Sequence, residues 1–260
     1  MDTARSIFSQ FQILETKLKP PYLRAQAFAR ESLTRRVEAE AAATRLLTLI
    51  APAGSGKSTL MAELYNGALS SGRHCCWLSL DVDDNESAIF SKYFIACTYG
   101  LDIKSAEREL AFLKYSSNRD YSALFDTLLA RIISIGIEIT IFIDDFQYIS
   151  NPEIIRFWNR LILHAPPTMC VVIAGRNRLP LDLSRRQISG MLTEITQNDL
   201  NLTASEIQRY LDQAHNIPCE IKSAEVLHHS TEGWVAGVQL AALAISSSNT
   251  PAADFVEGFT

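Results

Sequence analysis

The chain has 260 residues, with 24 basic and 29 acidic side chains and therefore a net charge of −5. Apolar residues make up 47% of it, which excludes disorder along the whole chain, because disordered segments combine low hydrophobicity with high charge. A pI of about 5.6 disfavours a purely electrostatic nucleic-acid binder, since phosphate binding needs a basic face. The length predicts one large domain, or one domain with a helical annex.

Neither a membrane segment nor a secretion signal is visible in the sequence. No apolar run approaches the roughly 20 residues that span a bilayer, and the N-terminus lacks a basic start followed by an apolar stretch. We therefore expect a cytoplasmic protein with no membrane partner. The five cysteines are odd in number and form no Cys-x-x-Cys pair, so we interpret them as reduced and buried.

Short apolar runs predict the buried strands of a parallel sheet, because strands covered on both faces lack polar alternation. Helical patterns separate the first four runs, and this order favours an α/β sheet with helices on both faces. The predicted strands cover residues 45–51, 75–80, 140–144, 169–174 and 192–195. The predicted helices cover residues 58–69, 86–99, 121–135 and 152–164.

A phosphate-binding loop is the strongest motif. The sequence APAGSGKST follows the first predicted strand and opens a helix, with Ala51 where GxxxxGK[ST] has its first glycine. Gly54 and Gly56 allow a tight turn close to an anion, and the N–H groups at a helix start point at phosphate. In this pattern Lys57 contacts the β- and γ-phosphates, and the Ser58 hydroxyl reaches Mg²⁺. The predicted residues for binding ATP or ADP are Ala53, Gly54, Ser55, Gly56, Lys57, Ser58 and Thr59.

Charged side chains follow two other predicted strands. Asp144 and Asp145 end the third strand. We expect Asp144 to hold Mg²⁺ through water and Asp145 to orient or deprotonate the attacking water, although Asp145 as a simple loop cap is the alternative. Arg176 ends the fourth strand and is predicted to sense the γ-phosphate, with Arg178 as the competing candidate and a plain surface role as the alternative. The predicted catalytic residues are thus Lys57, Asp145 and Arg176.

After the fifth predicted strand the pattern changes to helices only. Thr203 and Glu206 form a capping box that predicts a helix start, and another helix is expected to begin near Thr231. We therefore divide the chain into an N-terminal segment, a P-loop α/β domain, a helical lid and a frayed tail. These parts are predicted to cover residues 1–30, 31–197, 198–247 and 248–260.

Several motifs occur together over residues 16–243. They are KLKPP at 17–21 with Arg30, APAGSGKSTL at 51–60, WLSLD at 77–81 with Asp84 and Asn85, DDF at 144–146, the arginine-bearing strand at 171–181, and Gly233–Trp234 with Gly237 and Leu240. In this combination and order they resemble the NB-ARC-like nucleotide-binding domain of the large ATP-dependent LuxR-type transcription activators. Those activators are signal-transduction ATPases with numerous domains.

The resemblance implies an ADP-bound resting state and an ATP-bound state that self-associates. It also implies that Arg30, with Phe28 and Ala29, lies near the base or ribose. Activators of this family continue into a winged-helix module, a superhelical sensor region and a helix-turn-helix, and Thr260 precedes all three. The chain is then either part of a longer regulator or a short stand-alone relative. We expect it to make no direct DNA contact, with any DNA-binding region beyond residue 260.

The sequence therefore predicts an ATPase switch with a helical lid. ATP and Mg²⁺ bind between residues 54–59 and the acidic pair, and slow hydrolysis returns the protein to its resting state. The alternatives are a small-molecule kinase, which needs an acceptor pocket, and a nucleotide-binding module that does not hydrolyse. The three tryptophans, Trp77, Trp158 and Trp234, are interpreted as core or helix-packing residues.

Overall fold

A parallel sheet lies at the centre of the protein, in the computed structural model that describes residues 7–23, 28, 30–115 and 120–248. Its five strands are β1 (Leu46–Ile50), β2 (His74–Ser79), β3 (Ile139–Asp144), β4 (Met169–Gly175) and β5 (Thr193–Thr196). Their order across the sheet is β2-β3-β4-β1-β5, and every neighbouring pair is parallel. The predicted α/β fold with a five-stranded parallel sheet is confirmed.

The strand order decides which loops meet. Strand β4 lies between β1 and β3, so Ile50 at the end of β1 pairs with Gly175, while Ile143 near the end of β3 pairs with Ile173. All residues of β3 and β4 are buried, which explains their continuous apolar runs. Because the strands are parallel, the chain leaves β1, β4 and β3 side by side at one edge of the sheet.

Helices cover both faces of the sheet and form the C-terminal part. They are α1 (Glu31–Thr44), α2 (Lys57–Ser70), α3 (Ser87–Cys97), α4 (Ile103–Tyr115), α5 (Tyr121–Ser134), α6 (Pro152–His164), α7 (Ser184–Ile188), α8 (Gln197–Leu200), α9 (Ala204–His215), α10 (Ile221–Thr231) and α11 (Val235–Ser248). The sequence interpretation missed α1, α4, α7, α8 and α10. In α1 only Leu33, Val37 and Ala41 are buried, one residue per turn, so its apolar stripe is too narrow for a strong helical pattern.

The two faces of the sheet carry separate apolar cores, because successive side chains of a strand point in opposite directions. On one face Trp77 stacks on Phe142 with ring centroids 5.9 Å apart. On the other face Trp158 packs against Phe90 and Phe94. Trp77 and Trp158 are therefore core residues, as expected. All five cysteines carry free thiols; three of them are buried as predicted, whereas Cys75 and Cys97 are only half-buried.

A third apolar core holds helices α9 to α11 together, through Leu202, Ile207, Leu211, Leu227 and Val238 among others. The capping box at the start of α9 is present, with the Thr203 N–H donating to Glu206 Oε2 at 2.9 Å. The predicted helix start near Thr231 is wrong. Residues Glu232 and Gly233 have φ values of 52° and 74°, which no right-handed helix contains, so α10 ends at Thr231 and α11 begins at Val235.

Two of the predicted parts of the chain lie partly outside the described residues. These are the N-terminal segment, at residues 1–6, and the frayed tail, at residues 249–260. Among the helices of the described residues, none has the length and apolar character needed to cross a membrane.

Candidate functional site

The phosphate loop connects β1 to α2 as the sequence predicts. Gly54 and Gly56 adopt φ values of 73° and 86°, a region that other residues rarely enter. Gly56 is the N-cap of α2, and in the part of the chain that the structure describes no side-chain cap hydrogen bond is made to the first turn. The Ser55 hydroxyl is buried and has no hydrogen-bond partner among the described residues. Unpaired donors of this kind at a helix start form an anion site.

The Lys57 ammonium lies over this loop. Its Nζ donates to the carbonyl oxygens of Ala51 and Pro52, at 2.6 and 2.8 Å. Burial lowers the pKa of Lys57, and the carboxylates of Asp144 and Asp145 oppose that effect. The lysine is thus close to both acidic residues that the sequence analysis singled out.

The Asp144 carboxyl group lies at the end of β3 and is buried. Burial raises its pKa, whereas a hydrogen bond from the Ser58 hydroxyl acts in the opposite direction. Ser58 at the start of α2 therefore lies near Asp144 at the end of β3, although β4 separates β1 from β3 in the sheet. A hydroxyl and a carboxylate are oxygen donors of the kind that Mg²⁺ takes, usually with water and substrate phosphate completing its shell, so this pair fits the predicted metal.

The next carboxylate is held by a side chain that the sequence analysis did not single out. Asp145 has a left-handed backbone, with φ at 59°, and its Oδ1 accepts from Gln147 Nε2 at 2.7 Å. The Oε1 atom of Gln147 accepts from the backbone N–H of Arg176 at 3.1 Å. The side chains of Arg176 and Arg178 are exposed where the chain leaves β4. No motif in the sequence marks Gln147.

The start of α11 rests on the phosphate loop. The Trp234 indole Nε1 donates to the carbonyl oxygen of Ala53 at 3.1 Å, and the Ala236 N–H donates to that of Gly54 at 3.0 Å. A Cβ added to Gly54 would lie 2.6 Å from the Ala236 Cβ. With 36% of its surface exposed, Trp234 is not a core residue. It packs against the loop instead, which corrects its interpretation as a core residue.

A cavity of about 400 Å³ opens between the phosphate loop, the N-terminal segment and the helical lid. This volume is in the range of small-molecule sites. Apolar and aromatic side chains line most of the wall, and Glu63 and His215 are among its polar groups. Burial raises the pKa of Glu63 and lowers the pKa of His215, so both are displaced toward their neutral forms. The apolar lining includes Phe28, Leu33, Leu60, Tyr210 and Val235.

Arg30 lines the same cavity, but its guanidinium is directed at the lid. It donates to both carboxylate oxygens of Glu206, at 3.0 and 3.2 Å, and to the carbonyl oxygens of Leu200 and Asn201. Of the residues expected near the base or ribose, Phe28 also lines the cavity, and Ala29 lies outside the described residues. The structure therefore brings Arg30 to the cavity wall as a link between the N-terminal segment and α9.

The sequence relatives of this chain are transcription regulators. The HTH-type transcriptional regulator MalT of Serratia proteamaculans is 28% identical over 243 residues, which are 92% of this chain and 26% of that protein. The resemblance to the LuxR-type activators is confirmed. MalT of Yersinia pestis is also 28% identical, over 241 residues. The chain thus spans about a quarter of the length of these relatives, and no protein-family model matches it.

Two solved structures share the fold of this chain over most of its length. Cdc6p from Pyrobaculum aerophilum superposes with a TM-score of 0.51 at 14% identity, covering 91% of this chain and 67% of that one. The Walker-type ATPase PABY2304 of Pyrococcus abyssi gives a TM-score of 0.51 at 13% identity, covering 94% and 75%. At this level of identity the likeness shows the fold alone, which is the P-loop ATPase fold.

Proposed function

We propose that this chain is an ATP-binding, slowly hydrolysing switch domain of a LuxR-type transcriptional regulator, and that its ATP-bound state self-associates. One observation carries the proposal. The ends of β1, β3 and β4 bring Lys57, the Ser58–Asp144 pair and Asp145 together beside a small-molecule cavity and beneath a helical lid. Similarity to MalT supports the regulatory role and a cytoplasmic location.

In the proposed complex, the phosphates of ATP or ADP bind the N–H groups of residues 53–59 and the Lys57 ammonium. The base and ribose occupy the cavity beside Arg30. Ser58 and Asp144 hold Mg²⁺, which neutralises phosphate charge when bound. Asp145 orients the attacking water, and the Arg176 guanidinium contacts the γ-phosphate.

The lid supplies the switch in this proposal. A ligand shifts a conformational equilibrium only when it binds the two states differently. Because Trp234 and Ala236 hydrogen-bond to carbonyl oxygens of the phosphate loop, a nucleotide that changes the loop also changes its contact with α11. In this proposal the chain itself makes no contact with DNA, and regions outside it do.

The decisive experiment identifies the bound nucleotide. Wild-type protein is purified and denatured, and the released nucleotide is analysed by chromatography, with Lys57→Ala as the test variant and exposed Lys222→Ala as the matched control. Loss of the ammonium contact weakens nucleotide affinity by about tenfold to 100-fold, so ADP is expected in wild type and control but not in Lys57→Ala. Absence of nucleotide from wild type, with no uptake of ATP and Mg²⁺, would contradict the proposal.

Hydrolysis is tested on the same preparations. Phosphate released into water supports the switch. Phosphate transferred to a small molecule would indicate a kinase instead. Magnesium-dependent ATP binding without phosphate release, in wild type and Asp145→Asn alike, would indicate a module that only binds nucleotide.

A further inference from the structure

The Gln147 amide joins the ends of two strands. Its Nε2 donates to the Asp145 carboxylate at 2.7 Å, and its Oε1 accepts the Arg176 backbone N–H at 3.1 Å. Both partners have fixed hydrogen-bonding sense, because a carboxylate only accepts and a backbone N–H only donates. The amide can satisfy both in one orientation only, so its position is tied to both.

The same amide belongs to a chain of hydrogen bonds along one side of the site. The Ala51 N–H at the start of the phosphate loop donates to the Gly175 carbonyl at 3.3 Å, next to Arg176. On the other side, the Asp145 N–H donates to Asp144 Oδ1 at 2.9 Å, and the Asp144 carboxyl group lies near the Ser58 hydroxyl at the start of α2, which acts to lower its pKa against the effect of burial. Among the described residues, Gln147 supplies the side-chain link between the loops that follow β3 and β4.

Contacts other than those of Gln147 also anchor its loop. Phe146 is completely buried and packs against Trp158. Further along, Asn85 Oδ1 accepts the N–H groups of Ser150 and Asn151 at 2.7 and 2.8 Å. These contacts hold the loop from both sides, so removal of the Gln147 amide leaves the loop anchored and affects the orientation of the Asp145 carboxylate.

We infer that Gln147 is a positioning residue that couples the Asp145 carboxylate to the strand end carrying Arg176. The inference rests on the proposed hydrolysis. With Oδ1 occupied by the amide, the other carboxylate oxygen is the one directed to water. A shift of the Arg176 backbone on γ-phosphate contact moves the amide, and the amide moves the carboxylate into place.

The test compares Gln147→Met, which keeps side-chain length and removes both hydrogen bonds, with the exposed control Gln187→Met. Misplacement of a reacting group by about 1 Å costs on the order of 100-fold in rate. We expect kcat of Gln147→Met to fall about tenfold to 100-fold while KM for ATP stays within about twofold of wild type. For slow hydrolysis KM reports ATP affinity, so this split separates positioning from binding.

Gln147→Glu has the shape of the wild-type side chain and provides a second measurement if Gln147→Met does not fold. It keeps an acceptor for the Arg176 N–H and removes the donor to Asp145, so its kcat is also expected to fall with little change in KM. Wild-type turnover in either folded variant, or a parallel loss of ATP affinity and thermal stability, would overturn the positioning role of Gln147 and leave the proposed function standing. Absence of hydrolysis in the wild-type protein would overturn the proposed function and the role of Gln147 with it.

Discussion

Asp145 occupies a backbone conformation that is uncommon outside glycine. Its φ of 59° lies in the left-handed region, where aspartate is among the better tolerated residues. The turn lets the chain leave β3 and enter the short 3₁₀ helix Phe146–Tyr148. It also separates the two carboxylates, because Asp144 stays buried at the strand end while Asp145 is only half-buried. The two adjacent acidic residues thereby acquire different surroundings, which fits the different roles we propose for them.

The first residue-scale prediction concerns Asp145→Asn. The amide keeps the size of the side chain but is no base, so ATP affinity is expected to persist while hydrolysis slows by about 100-fold to 10,000-fold. Calorimetry measures the affinity, and a phosphate-release assay measures the rate. The exposed Asp182→Asn is the matched control. Turnover of Asp145→Asn equal to that of the control would show that this carboxylate does not orient the water.

At the scale of elements, the first turn of α11 and the phosphate loop form one contact surface. The hydrogen bonds from Trp234 and Ala236 reach two successive carbonyl oxygens of the loop, those of Ala53 and Gly54. A Cβ at position 54 would meet Ala236. Glycine at this position therefore serves two needs, the left-handed turn of the loop and the close approach of the helix.

Trp234→Phe is predicted to loosen this contact. It keeps an aromatic ring and removes the hydrogen bond to Ala53, which is worth about 1 kcal/mol. Release of a fluorescent ADP analogue is expected to accelerate about fivefold, measured by stopped flow. Tyr115→Phe, at an exposed position on α4, is the control. An unchanged release rate would mean that α11 does not hold the nucleotide in place.

The link between Arg30 and α9 is predicted to depend on pH. Burial by itself raises the pKa of Glu206, but the Thr203 N–H and the Arg30 guanidinium donate to the carboxylate and bring its pKa below the ordinary value of 4.5. A depressed pKa in the folded state stabilises the protein above pH 4.5, and this stabilisation is lost as the pH falls through the folded-state pKa. The link between the N-terminal segment and the lid is therefore an ionic one.

Glu206→Gln removes the charge from this link. At pH 7 we expect the free energy of unfolding to fall by about 1–3 kcal/mol, because the buried donors of Arg30 lose a charged acceptor. The difference from wild type is expected to shrink as the pH drops below 4.5. Urea unfolding at several pH values measures it, with exposed Glu225→Gln as the control. A difference that does not change with pH would show that the carboxylate charge contributes nothing.

On the scale of the whole molecule, the cavity lies between separately packed cores. Leu33 and Leu60 on its wall belong to the core on one sheet face, whereas Leu202 belongs to the core of the helical lid. A ligand in the cavity contacts both parts. It therefore stabilises their association as well as the fold, by an amount set by its concentration relative to Kd.

This arrangement predicts a thermal shift that depends on nucleotide. At 100 times Kd a ligand adds about 2.7 kcal/mol, which for a protein of this size raises Tm by roughly 5–10 °C. ATP or ADP with Mg²⁺ is expected to produce this shift in wild type and a clearly smaller one in Lys57→Ala at the same nucleotide concentration. Sedimentation velocity on the same samples tests self-association, which is expected with ATP and not with ADP. Equal sedimentation in both nucleotides would contradict the proposed switch.

Local chemistry in the sequence determined much of this protein. The apolar runs predicted the strands, because a fully covered strand needs no polar residue. Gly54 and Gly56 marked the phosphate loop, because few other residues tolerate positive φ. The pair Thr203 and Glu206 predicted a helix start, because both partners of a capping box lie within one turn.

Only the tertiary structure decided how these parts meet. The contact of Trp234 with Ala53 spans 181 residues, and that of Arg30 with Glu206 spans 176. Neither separation leaves a periodic signal in the sequence. The role proposed for Gln147 depends on β4 lying between β1 and β3, and strand order follows from the packing of helices on both faces of the sheet rather than from any single motif.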